Sequence, residues 1–143
     1  MAELNISPLE IDSTEDTPAI LLDAEKGVFK IKGISMPEDA QLFYKPAMEW
    51  MTQYCTKPNS KTNFVFELEY FNTASSQRIL EILKTVEKIH NDTTQASFSW
   101  LCNPDDEDMI EAGELFAKLV TIPFNLITSQ TATKHSAGKL WKL

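Results

Sequence analysis

The chain has 143 residues and a mass of 16.2 kDa, which suits a single domain with one sizeable core. Its net charge of −8, from 13 bases and 21 acids, argues against nucleic-acid binding and against docking on anionic lipid. No apolar run approaches the roughly 18 residues that span a bilayer. Two cysteines are too few for a disulfide scaffold, and the start MAELNISPLEID is not a secretory signal, so the expectation is a cytoplasmic protein.

Leu4 to Ile6 predicts a short edge strand, and the Pro-, Asp-, Ser- and Thr-rich stretch from Pro8 to Pro18 an exposed loop. Ala19–Asp23 and Val28–Gly33 read as a hairpin, with Gly27 supplying the positive φ of the turn. Phe29 and Ile31 point to one face and Lys30 and Lys32 to the other. Ser35-Met36-Pro37-Glu38 reads as a helix start with Ser35 as the cap. Leu42, Phe43, Ala47, Trp50, Met51 and Tyr54 then recur at helical spacing, and Pro46 predicts a kink or a split near Phe43.

Thr62 to Phe71 alternates as a half-buried strand, with Phe64, Phe66, Leu68 and Tyr70 on one face. A second helix follows the break at Asn72 and runs to about His90, buried through Ile79, Ile82, Leu83 and Val86. A strand from Thr94 to Leu101, a helix from Asp106 to Val120 and a strand from Phe124 to Ile127 complete the order. Strands alternating with helices require crossovers and parallel pairing. The fold class is therefore α/β: a single-domain mixed sheet with three main helices packed mainly on one face. Residues 129–143 carry Lys134, Lys139 and Lys142 and no acid, and read as a flexible basic tail after a body spanning 1–128.

Motifs for catalysis are missing. Four glycines form no phosphate loop, and neither a G-x-S-x-G elbow nor an H-E-x-x-H pair is present. His90 at a helix end fits a role against the helix dipole, and Cys55 and Cys102 fit small buried hydrophobes. The acidic run Asp105, Asp106, Glu107 and Asp108 suits a helix cap with dipole-complementing acids. It is also a candidate recognition patch for a basic partner, and a weaker candidate for Mg²⁺. At the junction Tyr70-Phe71-Asn72-Thr73-Ala74-Ser75-Ser76, any of Asn72, Thr73, Ser75 and Ser76 can cap the second helix. One cap suffices, so the surplus hydroxyls leave room for a modification site. A phosphoryl group is tolerated among free helix amides, and Arg78, one turn further on, is a candidate partner for it.

The ordered sequence resembles the SiaC-type biofilm-regulation phosphoproteins of bacteria. The features that carry this are Thr17-Pro18-Ala19-Ile20, Ile31-Lys32-Gly33-Ile34-Ser35-Met36-Pro37-Glu38, Phe43-Tyr44-Lys45-Pro46, Leu68 to Ser76, Asp105 to Met109, and Glu111-Ala112-Gly113-Glu114. Met36 departs from the aromatic expected there. The resemblance spans residues 4 to 128 and implies a non-enzymatic switch without a cofactor, STAS-like in broad outline. It implies that Thr73 is the phosphoacceptor, with Ser75 and Ser76 as the lesser alternatives. It further implies that the dephosphorylated form binds and activates a GGDEF-type diguanylate cyclase, raising cyclic di-GMP. A serine/threonine kinase and a PP2C-type phosphatase would set the phosphorylation state. Two competing readings are an anti-sigma-factor-antagonist type of partner switch and a small metal-dependent hydrolase using Asp105, Asp106, Asp108 and Glu111.

Overall fold

The computed structural model describes residues 6–128. The predicted edge strand at Leu4–Ile6 falls largely outside them, as does everything after Thr128. The elements are β1 (Leu9–Ile11), β2 (Ala19–Asp23), β3 (Val28–Ser35), α1 (Ala40–Tyr54), β4 (Lys61–Phe71), α2 (Thr73–Glu87), β5 (Gln95–Leu101), α3 (Glu107–Lys118) and β6 (Phe124–Ile127). They build one six-stranded sheet in the order β1-β2-β3-β4-β5-β6. The β1–β2 and β2–β3 pairs are antiparallel, and the remaining pairs are parallel.

Each crossover steps one strand in the same direction, so right-handed connections put α1, α2 and α3 on one face. Burial follows: Phe29, Ile31, Phe64, Phe66, Ala96, Phe98 and Trp100 are buried, and their strand neighbours Lys32 and Asn63 are exposed. The helix-free face is kept polar. Lys30 Nζ and Lys32 Nζ lie 3.4 and 3.8 Å from Glu67 Oε1, and Asn63 Oδ1 accepts from Ser97 Oγ at 3.0 Å. Burial holds the Glu67 carboxyl above and the Lys30 ammonium below their ordinary ranges, so desolvation outweighs the pairing on both partners. No helix among the described residues is long and apolar enough to cross a membrane.

Five local expectations are corrected. The loop expected from Pro8 to Pro18 contains β1, which pairs Leu9 with Leu22 and Ile11 with Ile20. Ser35 does not cap a helix. It is the last residue of β3, buried and paired with Phe71, and Asp39 caps α1 by accepting from the Leu42 N–H at 3.0 Å. Pro46 does not split α1. It is exposed, as is Leu42, the residue four back, so water can reach the carbonyl that the missing N–H leaves over. The buried stripe of α1 runs through Tyr44 rather than Leu42, which is 66% exposed. Tyr70 is likewise not in the core. The β3–β4 register advances from Gly33↔Leu68 to Ile34↔Tyr70, so Glu69 is an extra residue in β4. This bulge turns Tyr70 outward and Phe71 inward, onto Trp100 and Phe116.

Candidate functional site

Strands β3 to β6 are parallel, so their carboxyl ends share one edge of the sheet, and all three helices start there. The residues that meet at this carboxyl edge are 12–18, 36–39, 70–73 and 102–108. They hold nine acids and no lysine or arginine. The opposite edge, residues 24–27, 55–61, 88–95 and 118–123, holds five lysines and two acids. Part of this asymmetry follows the helix dipoles, which favour anions at N-termini and cations at C-termini. Asp12, Glu15 and Asp16 are not at a helix start, so the dipoles do not account for them.

Thr73 is the first residue of α2 and is exposed at this edge. The cap next to it is Asn72, whose Oδ1 accepts from the Ser75 N–H at 2.9 Å and whose carbonyl accepts from the Ser76 N–H at 3.0 Å. The Asn72 N–H donates to the Ser35 carbonyl at 3.1 Å, which ties the start of α2 to the end of β3. Asn72→Ala removes the cap and should lower stability by about 1 kcal/mol, whereas Asn72→Asp should keep it. The measurement is the urea midpoint at constant m.

The hydroxyls expected as alternatives to Thr73 are not equivalent. Ser75 is 0% exposed and its Oγ donates to the Ser35 carbonyl at 3.0 Å. Ser35 Oγ donates to Ser75 Oγ at 2.8 Å. The Tyr44 hydroxyl, 2.7 Å from Ser35 Oγ, must then be the donor in that contact. Burial pushes the Tyr44 hydroxyl up to about 12, so it keeps its proton in the neutral range. Every proton in this buried chain is committed, and Ser75 is closed to a transferase. Ser76 is half-buried and donates to the Thr73 carbonyl at 2.8 Å. Of the three Ser and Thr hydroxyls at the start of α2, only that of Thr73 belongs to an exposed residue. The sequence offers Ser35 only as a helix cap and Tyr44 only within a family motif, because their meeting depends on β3 and α1 converging.

Arg78 does not flank Thr73. Five residues on a helix subtend about 500°, which leaves it about 140° away around α2. It sits 3.4 Å from Glu81 in an open groove between α1 and α2, lined also by Asp39, Leu42 and Lys45. In the acidic run, Asp106 caps α3 by accepting from the Met109 N–H at 3.1 Å, and Glu107 and Asp108 occupy its first turn. The Asp105 N–H donates to Asn103 Oδ1 at 2.8 Å. No group of three or more His, Cys, Asp or Glu side chains among the described residues is placed to hold a metal ion, so the hydrolase reading has no ligand set. His90 Nδ1 accepts from the Ala96 N–H at 3.0 Å, which ties the end of the second crossover to β5. Burial pushes both the Cys55 and Cys102 thiols up to about 11, away from nucleophilic use.

Known proteins place this architecture. The apo form of SiaC from Pseudomonas aeruginosa superimposes with a TM-score of 0.78 at 26% identity, covering 87% of this chain and 100% of that one. SiaC from the crystal structure of the diguanylate cyclase SiaD in complex with its activator SiaC, also from P. aeruginosa, gives a TM-score of 0.79 at 26% identity, over 85% of this chain and 99% of the other. An uncharacterized protein of P. aeruginosa (strain UCBPP-PA14) is 27% identical over 119 residues, 83% of this chain and 94% of the relative. The model of the SiaC family of regulatory phosphoproteins matches residues 11–129, which include every element from β2 to β6 and the whole Asn72–Ser76 junction, and the chain belongs to that family.

Proposed function

We propose that this protein is a non-enzymatic switch whose form unphosphorylated at Thr73 binds and activates a GGDEF-type diguanylate cyclase in the cytoplasm. A serine/threonine kinase turns it off at Thr73 and a PP2C-type phosphatase turns it on again. The observation that carries the reading is the isolation of Thr73: of the Ser and Thr hydroxyls at the start of α2, only its own belongs to an exposed residue, while Ser75 is locked in the interior. The likeness to SiaC, crystallised as the activator of a diguanylate cyclase, supports the choice of partner over an anti-sigma-factor pathway.

The mechanism is electrostatic exclusion. A phosphoryl group adds about −1.5 to −2 charges. It adds them to an edge of nine acids and no base among the described residues. Arg78 points elsewhere and is engaged by Glu81. A partner closing over that edge would have to strip water from an unpaired dianion, at a cost of several kcal/mol. Incubation with the cognate kinase, followed by phosphopeptide mass spectrometry, tests the assignment. Phosphate on Thr73 is expected, and modification with none between Asn72 and Ser76 overturns it.

A further inference from the structure

Leu115 and Leu119, one turn apart at the end of α3, are 57% and 47% exposed. Their place relative to Thr73 follows from α2. Both helices start at the carboxyl edge, so they run side by side in one direction. Lys84 Nζ donates to the Leu119 carbonyl, which brings these two residues to one level. Glu87 Oε2 closes the same end by accepting from the Thr121 N–H at 2.6 Å. Thr73 stands eleven residues before Lys84, and Asp108 eleven before Leu119. Eleven residues make three turns to within about 20°, and seven make two to within the same angle. Thr73, Leu80 and Lys84 therefore form one stripe of α2. Asp108, Leu115 and Leu119 form the matching stripe of α3, level by level. Leu80 and Ala112 are partly buried and packed on the core, so they floor the channel between the stripes. α2 lies closer to α1 than to α3, which leaves this channel open.

Charge is graded along it. At the level of the leucines, exposed lysines stand on both sides: Lys84 across the channel, and Lys118 about 60° round α3 from Leu115. Glu87 at this end already accepts from Thr121 and Lys84. Glu114 lies further round α3, beyond Lys118. Glu111 and Asp108 stand one and two turns above Leu115, toward the acidic edge.

We propose that the channel between α2 and α3 is the docking site of the switch, and that its occupant is an amphipathic helix of the partner whose apolar stripe is flanked by acids. Leucines at this spacing receive anchors at i, i+4 and i+7 of such a helix. The flanking lysines select acids beside them. The channel runs about 16 Å from Thr73 to Lys84, three turns of a visiting helix. The inference rests on the proposed function and deepens it. Thr73 heads the channel two turns above Leu80, so a phosphoryl group there places a dianion beside Asp108 and in the path of an acid-bearing helix. One hydroxyl at the rim thereby governs a surface that extends well below it.

The test is titration calorimetry of the full chain against the diguanylate cyclase. Leu115→Ala/Leu119→Ala should bind at least about tenfold more weakly, as loss of two central anchors does. Lys118→Glu should bind at least about threefold more weakly at about 0.05 M salt, with a smaller loss at about 0.5 M. Leu42→Ala, which removes an exposed leucine from the groove between α1 and α2, should bind within about twofold of wild type. All the replaced side chains are exposed, so urea midpoints should stay near that of wild type. A leucine double variant that binds like wild type overturns the channel and leaves the switch standing. An unchanged affinity for Lys118→Glu overturns the acidic occupant. A wild-type protein that does not bind the cyclase at all removes the switch and this docking together. Two further results overturn the proposal by naming another occupant. Leucine variants that alter only the sedimentation of the free protein assign the channel to a second copy. Movement of the Ala112 to Leu119 amides by Trp141→Ala in the free protein assigns it to residues 129–143.

Discussion

Thr73→Asp should weaken binding to a diguanylate cyclase at least about tenfold, whereas Thr73→Ala should bind within about twofold of the unmodified protein. A tenfold loss needs only about 1.4 kcal/mol. Desolvating one carboxylate without a cation partner exceeds that comfortably. The sign is set by the surroundings: the edge holds nine acids and no base among residues 12–18, 36–39, 70–73 and 102–108, so a further negative charge finds no compensation in the described body. The pair of variants is informative because neither harms the fold. Thr73 is exposed at the first position of α2. Aspartate there meets the positive end of the helix dipole and should add about 0.3–1 kcal/mol of stability. Alanine there is a good helix former. Loss of binding by the aspartate variant together with an equal or raised urea midpoint therefore isolates charge from unfolding. Titration calorimetry against the cyclase gives the affinities. An aspartate variant that binds as tightly as wild type removes electrostatic exclusion as the mechanism.

How far the sequence led can be judged element by element. The hairpin was readable because Gly27, at φ +69, and the alternation of Phe29 with Lys30 are local signals. The three helices and β4 to β6 were readable for the same reason. What failed was decided by a neighbouring strand. The alternation Phe64-Phe66-Leu68-Tyr70 runs on unbroken in the sequence, but pairing with β3 inserts a bulge at Glu69 and throws Tyr70 out. Ser35-x-Pro-Glu has the form of a helix start, yet β3 extends through Ser35 because Phe71 lies beside it. β1 is only three residues long and carries no turn signal of its own. The site was half legible. Thr73 came from the family resemblance, and helical arithmetic alone would have removed Ser75, which shares a face with Ile79 and Ile82 at spacings of four and seven. The same arithmetic would have turned Arg78 away from Thr73. The Tyr44–Ser35–Ser75 chain had no signature, since three elements must meet before it exists.

Gly113→Ala should destabilise the protein by about 1–3 kcal/mol, and Gly113→Val by more, through an overpacking penalty. A Cβ at Gly113 would stand 2.6 Å from Trp100 Cδ1 and 2.8 Å from Leu126 Cδ1. Leu126 is half-buried and its methyl can turn aside, but the indole has no room to yield. The Trp100 ring is packed on Phe66, Phe71, Phe116 and Phe124, and its Nε1 donates to the Met109 carbonyl at 3.0 Å. Leu126 lies on β6, directly beside Trp100 in register. Relief must come from α3 lifting off the sheet, which strains the indole hydrogen bond and opens the contact with Phe116. Against this stands the helix propensity of alanine over glycine, about 1 kcal/mol in its favour. The packing term is the larger, so the net sign is destabilising. Urea unfolding should show a lower midpoint at unchanged m. In a Leu126→Ala background part of the crowding is removed, and the cost of Gly113→Ala should fall, giving a favourable coupling in a double-mutant cycle. A Gly113→Ala protein as stable as wild type would mean that α3 does not sit this close to β5 and β6. The placement of Asp106 and Glu107 at the acidic edge would then need revision too, because Gly113 is where their helix is held against the sheet.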